Sequence, residues 1–312
     1  MSLSSYPNGF KNGQLVKNVR VPDTVPGNVF WVDSGSGADS GRAGLYNYPF
    51  ASLDYAVGKC TASNGDIIYI KPGHAETLSS ATALALDVAG ITVVGLGAGT
   101  LKPTFTLDTA TTTTIAVSGA NTVLQNLKFS ANFADIADLF TPSSTNFKLV
   151  DCDFVATATN MNFVEIVDTG TTNNECDGLE FHGCSWIEPD TATTSLLNVD
   201  GDLDGLKVSN CYFNLGVNTS DLPIIAVVAT GKDLSNAEII GNRCVRLNDA
   251  NPLLITADTT TANTGVIARN HVRHLDTAAE LLVTAGTNFG FFENYATAAV
   301  DKSGYILPAV DS

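Results

Sequence analysis

A seven-residue pattern recurs through the second half of the chain and limits it to architectures built by stacking. Its copies are Val123–Phe129, Lys148–Phe154, Glu180–Trp186, Lys207–Phe213, Glu238–Cys244, Val266–Val272 and Gly290–Ala296. Each runs apolar residues in alternation into a polar or glycine corner, then Cys or Asn, then one residue, then a further core position. The fifth column reads Leu127, Cys152, Cys184, Cys211, Asn242, Asn270, Asn294, so the repeat length is 24–32 residues. The seventh column reads Phe129, Phe154, Trp186, Phe213, Cys244, Val272, Ala296, large first and small last.

A second strand-like segment precedes most copies: 114–117, 163–167, 195–199, 224–228, 252–255 and 280–283. A period of two inside segments, with nearly thirty between units, is the signature of a solenoid. The leucine-rich-repeat frame is missing, and no long 3.6-residue periodicity supports helical repeats. A parallel β-helix fits, with equivalent side chains stacked at about 4.8 Å. Asn and Cys suit tight inward corners, Asn because its amide bonds to the coils above and below. The structural ladder Cys152, Cys184, Cys211, Asn242, Asn270 and Asn294 is therefore expected to be packing, not ligation. Asp66–Gly73 and Gly90–Gly97 read as the first coils. Before them, Leu53, Ala56, Val57 and Cys60 share one helical face that Ser52 or Asp54 could cap, as a solenoid end requires.

Composition narrows the function classes. Only 15% of the 312 residues are charged, and 16 Lys+Arg face 32 Asp+Glu. A net charge of −16 repels phosphate backbones, so nucleic acid is not an expected partner. The longest apolar run, Leu222 to Ala229, is too short for a membrane helix, and no signal peptide is read at the N-terminus. No membrane partner and no cofactor are expected. Six cysteines without metal-ligand spacing read as small buried hydrophobes with free thiols.

The charge is uneven. Residues 1–27 carry Lys11, Lys17 and Arg20 against Asp23, a net +2, so the remainder carries −18. Pro7, Pro22 and Pro26 among Val16, Val19, Val21 and Val25 make this arm extended rather than helical. Lys11, Lys17 and Arg20 are the expected partner-docking residues.

At this point the chain resembles a known family. Phe30 to Gly37, Pro49 to Ala56 and Gly65 to Thr77 follow the order of the N-terminal cap and first coils of pectin-lyase-like right-handed parallel β-helix proteins. Tyr6-Pro-Asn-Gly-Phe10 resembles the arm of virion-associated β-helix proteins of tailed bacteriophages. The resemblance covers essentially the whole chain. It implies an all-β, right-handed parallel β-helix (solenoid) with a short N-terminal capping helix and an extended N-terminal arm. The expected organisation is arm 1–29, cap 30–65 and β-helix 66–312.

Catalytic signatures are sparse. A β-helix glycosidase needs two carboxylates flanking one groove; Asp151, Asp153, Asp177, Glu180, Asp200, Asp202 and Asp204 are the acidic candidates on neighbouring coils. The polygalacturonase motifs of the family are missing, His182-Gly183 being preceded by Phe181. Arg243, Arg246, Arg269 and Arg273 cluster by coil without a rich carboxylate neighbourhood. Asp200, Asp202 and Asp204 open like an EF-hand loop, but position twelve is Cys211, which makes them a weak metal candidate. His74, His182, His271 and His274 are scattered, with His271 and His274 near Arg269. Gly95–Gly99 reads as a turn.

No catalytic residue is therefore expected. The expected function is a bacteriophage virion structural protein, a homotrimeric capsid decoration or cement protein docked through its arm. Its partners would be a major capsid protein or other virion protein, with a host glycan possible and a virion location. The alternative is a tailspike-like receptor-binding or polysaccharide-degrading protein.

Overall fold

A computed structural model describes residues 27–80, 83–188, 195–215, 223–246, 254–256, 263–273 and 288–297. It also describes the short strands Gln14–Val16, Val19–Val21, Val283–Thr284 and Gly304–Tyr305. The chain is a parallel β-helix whose coils pass through three long sheets. Face one runs from Val29–Val32 through Ile67–Ile70, Thr92–Gly95 and Val123–Gln125 to Phe289–Phe292. Face two runs from Ala75–Leu78 to Tyr295–Thr297, where Gly304–Tyr305 adds an antiparallel edge. Face three runs from Ala85–Leu86 to Val283–Thr284. A fourth, two-stranded sheet pairs Leu203–Asp204 with Leu234–Ser235 at the corner between faces three and one.

Register makes the seventh column of the repeat a physical stack. Phe129 pairs with Phe154, Phe154 with Trp186, Trp186 with Phe213, Phe213 with Cys244, Cys244 with Val272, and Val272 with Ala296. Phe105 extends it one coil towards the N-terminus, its ring stacked 5.7 Å from Phe129. The side chains from Phe105 to Val272 are fully buried.

From Val123–Gln125 onward, each turn from face one to face two uses one left-handed residue. Asn126, Asp151, Gly183, Asn210, Gly241, Arg269 and Glu293 occupy this place with φ between 53° and 71°. Asn and Gly adopt that conformation readily, whereas Arg269 and Glu293 pay a steric cost of about 1–2 kcal/mol each.

The next residue is the inward corner. Cys152, Cys184 and Cys211 are buried and free, as are Cys176 and Cys244, while Cys60 is half-buried and free. Asn242, Asn270 and Asn294 continue the column as an amide ladder. Asn270 donates through Nδ2 to Ile239 O at 2.9 Å and to Asn294 Oδ1 at 3.0 Å. Its own Oδ1 accepts from Asn242 N and Asn242 Nδ2, both at 3.0 Å.

The helix Leu53–Val57 buries Leu53, Ala56 and Val57, and Ser52 caps it by accepting from Tyr55 N. It packs beside Val29–Val32 and Ala85–Leu86, and Ala85 N donates to Asp54 Oδ1. It therefore covers the N-terminal end of the core. The sheet begins earlier than Asp66, because Val29–Val32 pairs in parallel with Ile67–Ile70. In these first coils face one is apolar on both sides: Trp31, Ile67, Tyr69, Val94 and Leu96 form a second buried cluster. Within the arm, Gln14–Val16 and Val19–Val21 pair antiparallel, with Leu15 opposite Arg20. Lys11 and Lys17 lie outside the described residues.

Candidate functional site

The acidic residues that the sequence singled out hold one coil to another. Lys102, nearly buried, donates to Asp151 O at 2.6 Å and pairs with Asp153 at 2.7 Å, and Ser185 Oγ donates to Asp153. Glu180 pairs with Lys148 at 2.7 Å. Asp177 Oδ1 accepts from Asp204 N, Asp202 Oδ1 from Asp233 N, and Asp204 Oδ1 from Asn236 Nδ2. Asp200, Asp202 and Asp204 thus line a stacked turn, and its backbone and amide donors take up carboxylate oxygens that an EF-hand loop would turn on a cation.

The concentrated carboxylates lie instead on face three. Strand Ile136–Pro142 pairs with Phe163–Asp168, which sets Asp138 opposite Glu165 on adjacent coils, and Asp168 follows three residues later. Oxygens of Asp138, Glu165 and Asp168 lie within 4.8 Å of one another, and all three residues are half-buried. Among the described residues this is the group able to share a hard cation, which takes oxygen ligands.

Burial, then the charges of Asp138 and Asp168, raise the Glu165 pKa to about 8. Asp138 is raised by burial and the Asp168 charge, against a lowering hydrogen bond with Glu165. Asp168 is raised by burial and by the charge of Asp200, against a hydrogen bond from Gly170 N, so Asp200 borders this cluster. Glu165 therefore carries its proton at neutral pH and shares it with Asp138. The two carboxyl groups bond to each other, so they sit closer than the about 5–5.5 Å at which a retaining pair flanks a glycosidic bond.

Sequence reasoning missed this cluster. Glu165 lay inside a recognised strand segment, but Ile136–Pro142 did not: Phe133, Ile136, Leu139 and Phe140 are spaced like a helical face rather than alternating. Without that strand Asp138 had no coil neighbour.

The histidines do not converge among the described residues. His74 is buried; its Nδ1 accepts from Ser34 N at 2.9 Å, which leaves Nε2 to donate to Glu76 at 3.2 Å. His182 Nδ1 is 2.9 Å from Ser209 Oγ. His274 lies outside the described residues.

The clustered arginines separate. Arg246 is fully buried and Arg269 occupies a left-handed corner. Arg243 and Arg273 are exposed on face two. There register stacks Tyr212, Arg243, His271 and Tyr295 in one outward column. Arg243 lies over the Tyr212 ring at 5.6 Å, and the His271 ring is 5.3 Å from that of Tyr295. Burial and the Arg243 charge hold His271 below the ordinary histidine range.

No family model matches the chain, and no curated protein does either. Among solved structures, a rhamnogalacturonan lyase is similar at 15% identity and a TM-score of 0.45, over 86% of this chain and 87% of that one. ORF18 of Geobacillus virus E2 is similar at 12% identity and a TM-score of 0.44, over 86% of this chain and 61% of the viral one. No described helix is long and apolar enough to cross a membrane.

Proposed function

We propose that the chain is a structural protein of a bacteriophage virion, a homotrimeric capsid decoration or cement protein docked through its N-terminal arm. The observation that carries this reading is the division between arm and body. Residues 1–27 carry +2, against −18 in the remainder. The arm contributes its own antiparallel pair, Gln14–Val16 with Val19–Val21, outside the three faces of the solenoid. The Tyr6–Phe10 motif supports a phage setting, and a rod whose core runs unbroken from coil to coil suits an exposed particle surface. Lys11, Lys17 and Arg20 would meet an acidic capsid surface.

Removing residues 1–27 tests the reading. The first strand of the solenoid, Val29–Val32, and the capping helix remain, so the truncated chain should fold while losing incorporation into particles. Normal occupancy of the truncated chain on virions would contradict it.

One observation favours a second reading, cleavage of a host polysaccharide. Glu165, half-buried and protonated near neutral pH, has the form of a general acid, while Asp138, bonded to it, is too close to act as its nucleophilic partner. That reading requires the purified chain to depolymerise a host glycan and Glu165→Gln to abolish the activity. Absence of depolymerisation by the intact chain would exclude it.

A further inference from the structure

We propose that the C-terminal third of face two receives the acidic corner of a second copy of this chain. The inference deepens the homotrimeric part of the proposed function and rests on that part alone. Tyr212 and Tyr295, at 36% and 40% exposure, flank Arg243 and His271 in one outward column. Arg273 extends from the same face. Neither Arg243 nor Arg273 forms an ion pair with a described carboxylate. Exposed Tyr and Arg on one sheet face have the composition of interface hot spots.

Charge selects the occupant. The strip is cationic on a chain of net charge −16, so its complement is abundant on the chain itself. Asp202 and Asp204 lie at the corner between faces three and one, in the same coil as Tyr212. Arg243 stands one coil higher, about 5 Å away along the axis. A cyclic assembly about an axis parallel to the solenoid keeps every residue at its own height. Face two of one protomer can then meet the acidic corner of the next, with Arg243 within side-chain reach of Asp202 and Asp204. Such a contact joins different surfaces, and it closes into a ring where the rotation between successive copies does, giving an open row otherwise. The Tyr rings supply apolar area, and the guanidinium groups can bond carboxylates in bidentate fashion.

Sedimentation equilibrium of the full chain tests the interface. The intact protein should be oligomeric at micromolar concentration. Arg243→Glu with Arg273→Glu should raise the dissociation constant at least 100-fold, as should Asp202→Arg with Asp204→Arg. The four substitutions together should restore association, and circular dichroism should show the same folded state throughout. If a double variant unfolds, Arg243→Ala alone should still weaken association about tenfold. An oligomer indifferent to these changes overturns the interface and leaves the trimer standing. A monomeric intact chain overturns both, while virion incorporation, scored separately, still decides the docking role.

Discussion

The Cys and Asn halves of the corner column solve the same packing problem differently. In the lower half, Cys152, Cys184 and Cys211 fill the corner with thiols whose bonds to carbonyls are 3.3–3.7 Å long. The neighbouring inner column there is Phe129, Phe154, Trp186 and Phe213. In the upper half, Asn242, Asn270 and Asn294 make amide bonds of 2.8–3.1 Å, and the inner column shrinks to Cys244 and Val272. The lower coils are held chiefly by apolar burial and the upper ones more by directional bonding. A weak S–H donor adds little, whereas four satisfied amide contacts at Asn270 offset the smaller core. The first coils differ again, with face one buried on both sides.

Substitutions can break this contrast. The largest effect should come from Phe213→Ala or Phe154→Ala, at about 3–5 kcal/mol in equilibrium unfolding, from lost transfer energy and a residual cavity. Val272→Ala in the same column should cost clearly less. Asn270→Leu should cost about 3 kcal/mol, because it strands the Asn242 amide and the Ile239 carbonyl in a buried site. Cys211→Asn sharpens the comparison. Asn242 Oδ1 already accepts from the residue-211 backbone N–H at 2.9 Å, so the ladder can extend downward, and a cost below about 1 kcal/mol is expected. A cost as large as that of Asn270→Leu would show that the corners are not equivalent.

Two further effects concern charge and backbone. Glu165 has its pKa raised on folding, so its contribution to stability is complete below the unfolded value near 4.5. It is lost progressively as pH rises through about 8. The melting temperature should fall across that window, and Glu165→Gln should flatten the fall. Arg269→Gly should stabilise the chain by about 0.5–1 kcal/mol, because glycine relieves the left-handed strain at a small entropic cost.

The solenoid was legible because stacking repeats the same local problem every coil. Phe154 above Phe129, the polar corner before Cys152 and the capped face of Leu53, Ala56 and Val57 each follow from residue type and spacing. The carboxylate cluster was not legible, because Asp138 acquires its neighbours only through the register of an irregular strand. Likewise, Trp31, Tyr69 and Val94 pair in one outward column, but an apolar run is read as core without revealing which side it serves.

The central claim is one uninterrupted stack in which the repeat columns coincide with coil columns. A crystal structure of the full chain tests it most directly, through the Cα spacing along Phe129, Phe154, Trp186 and Phe213. Successive spacings of about 4.8 Å, with all four side chains facing one core, are the expected result. Spacings near twice that value, or aromatic side chains on different faces, would contradict it.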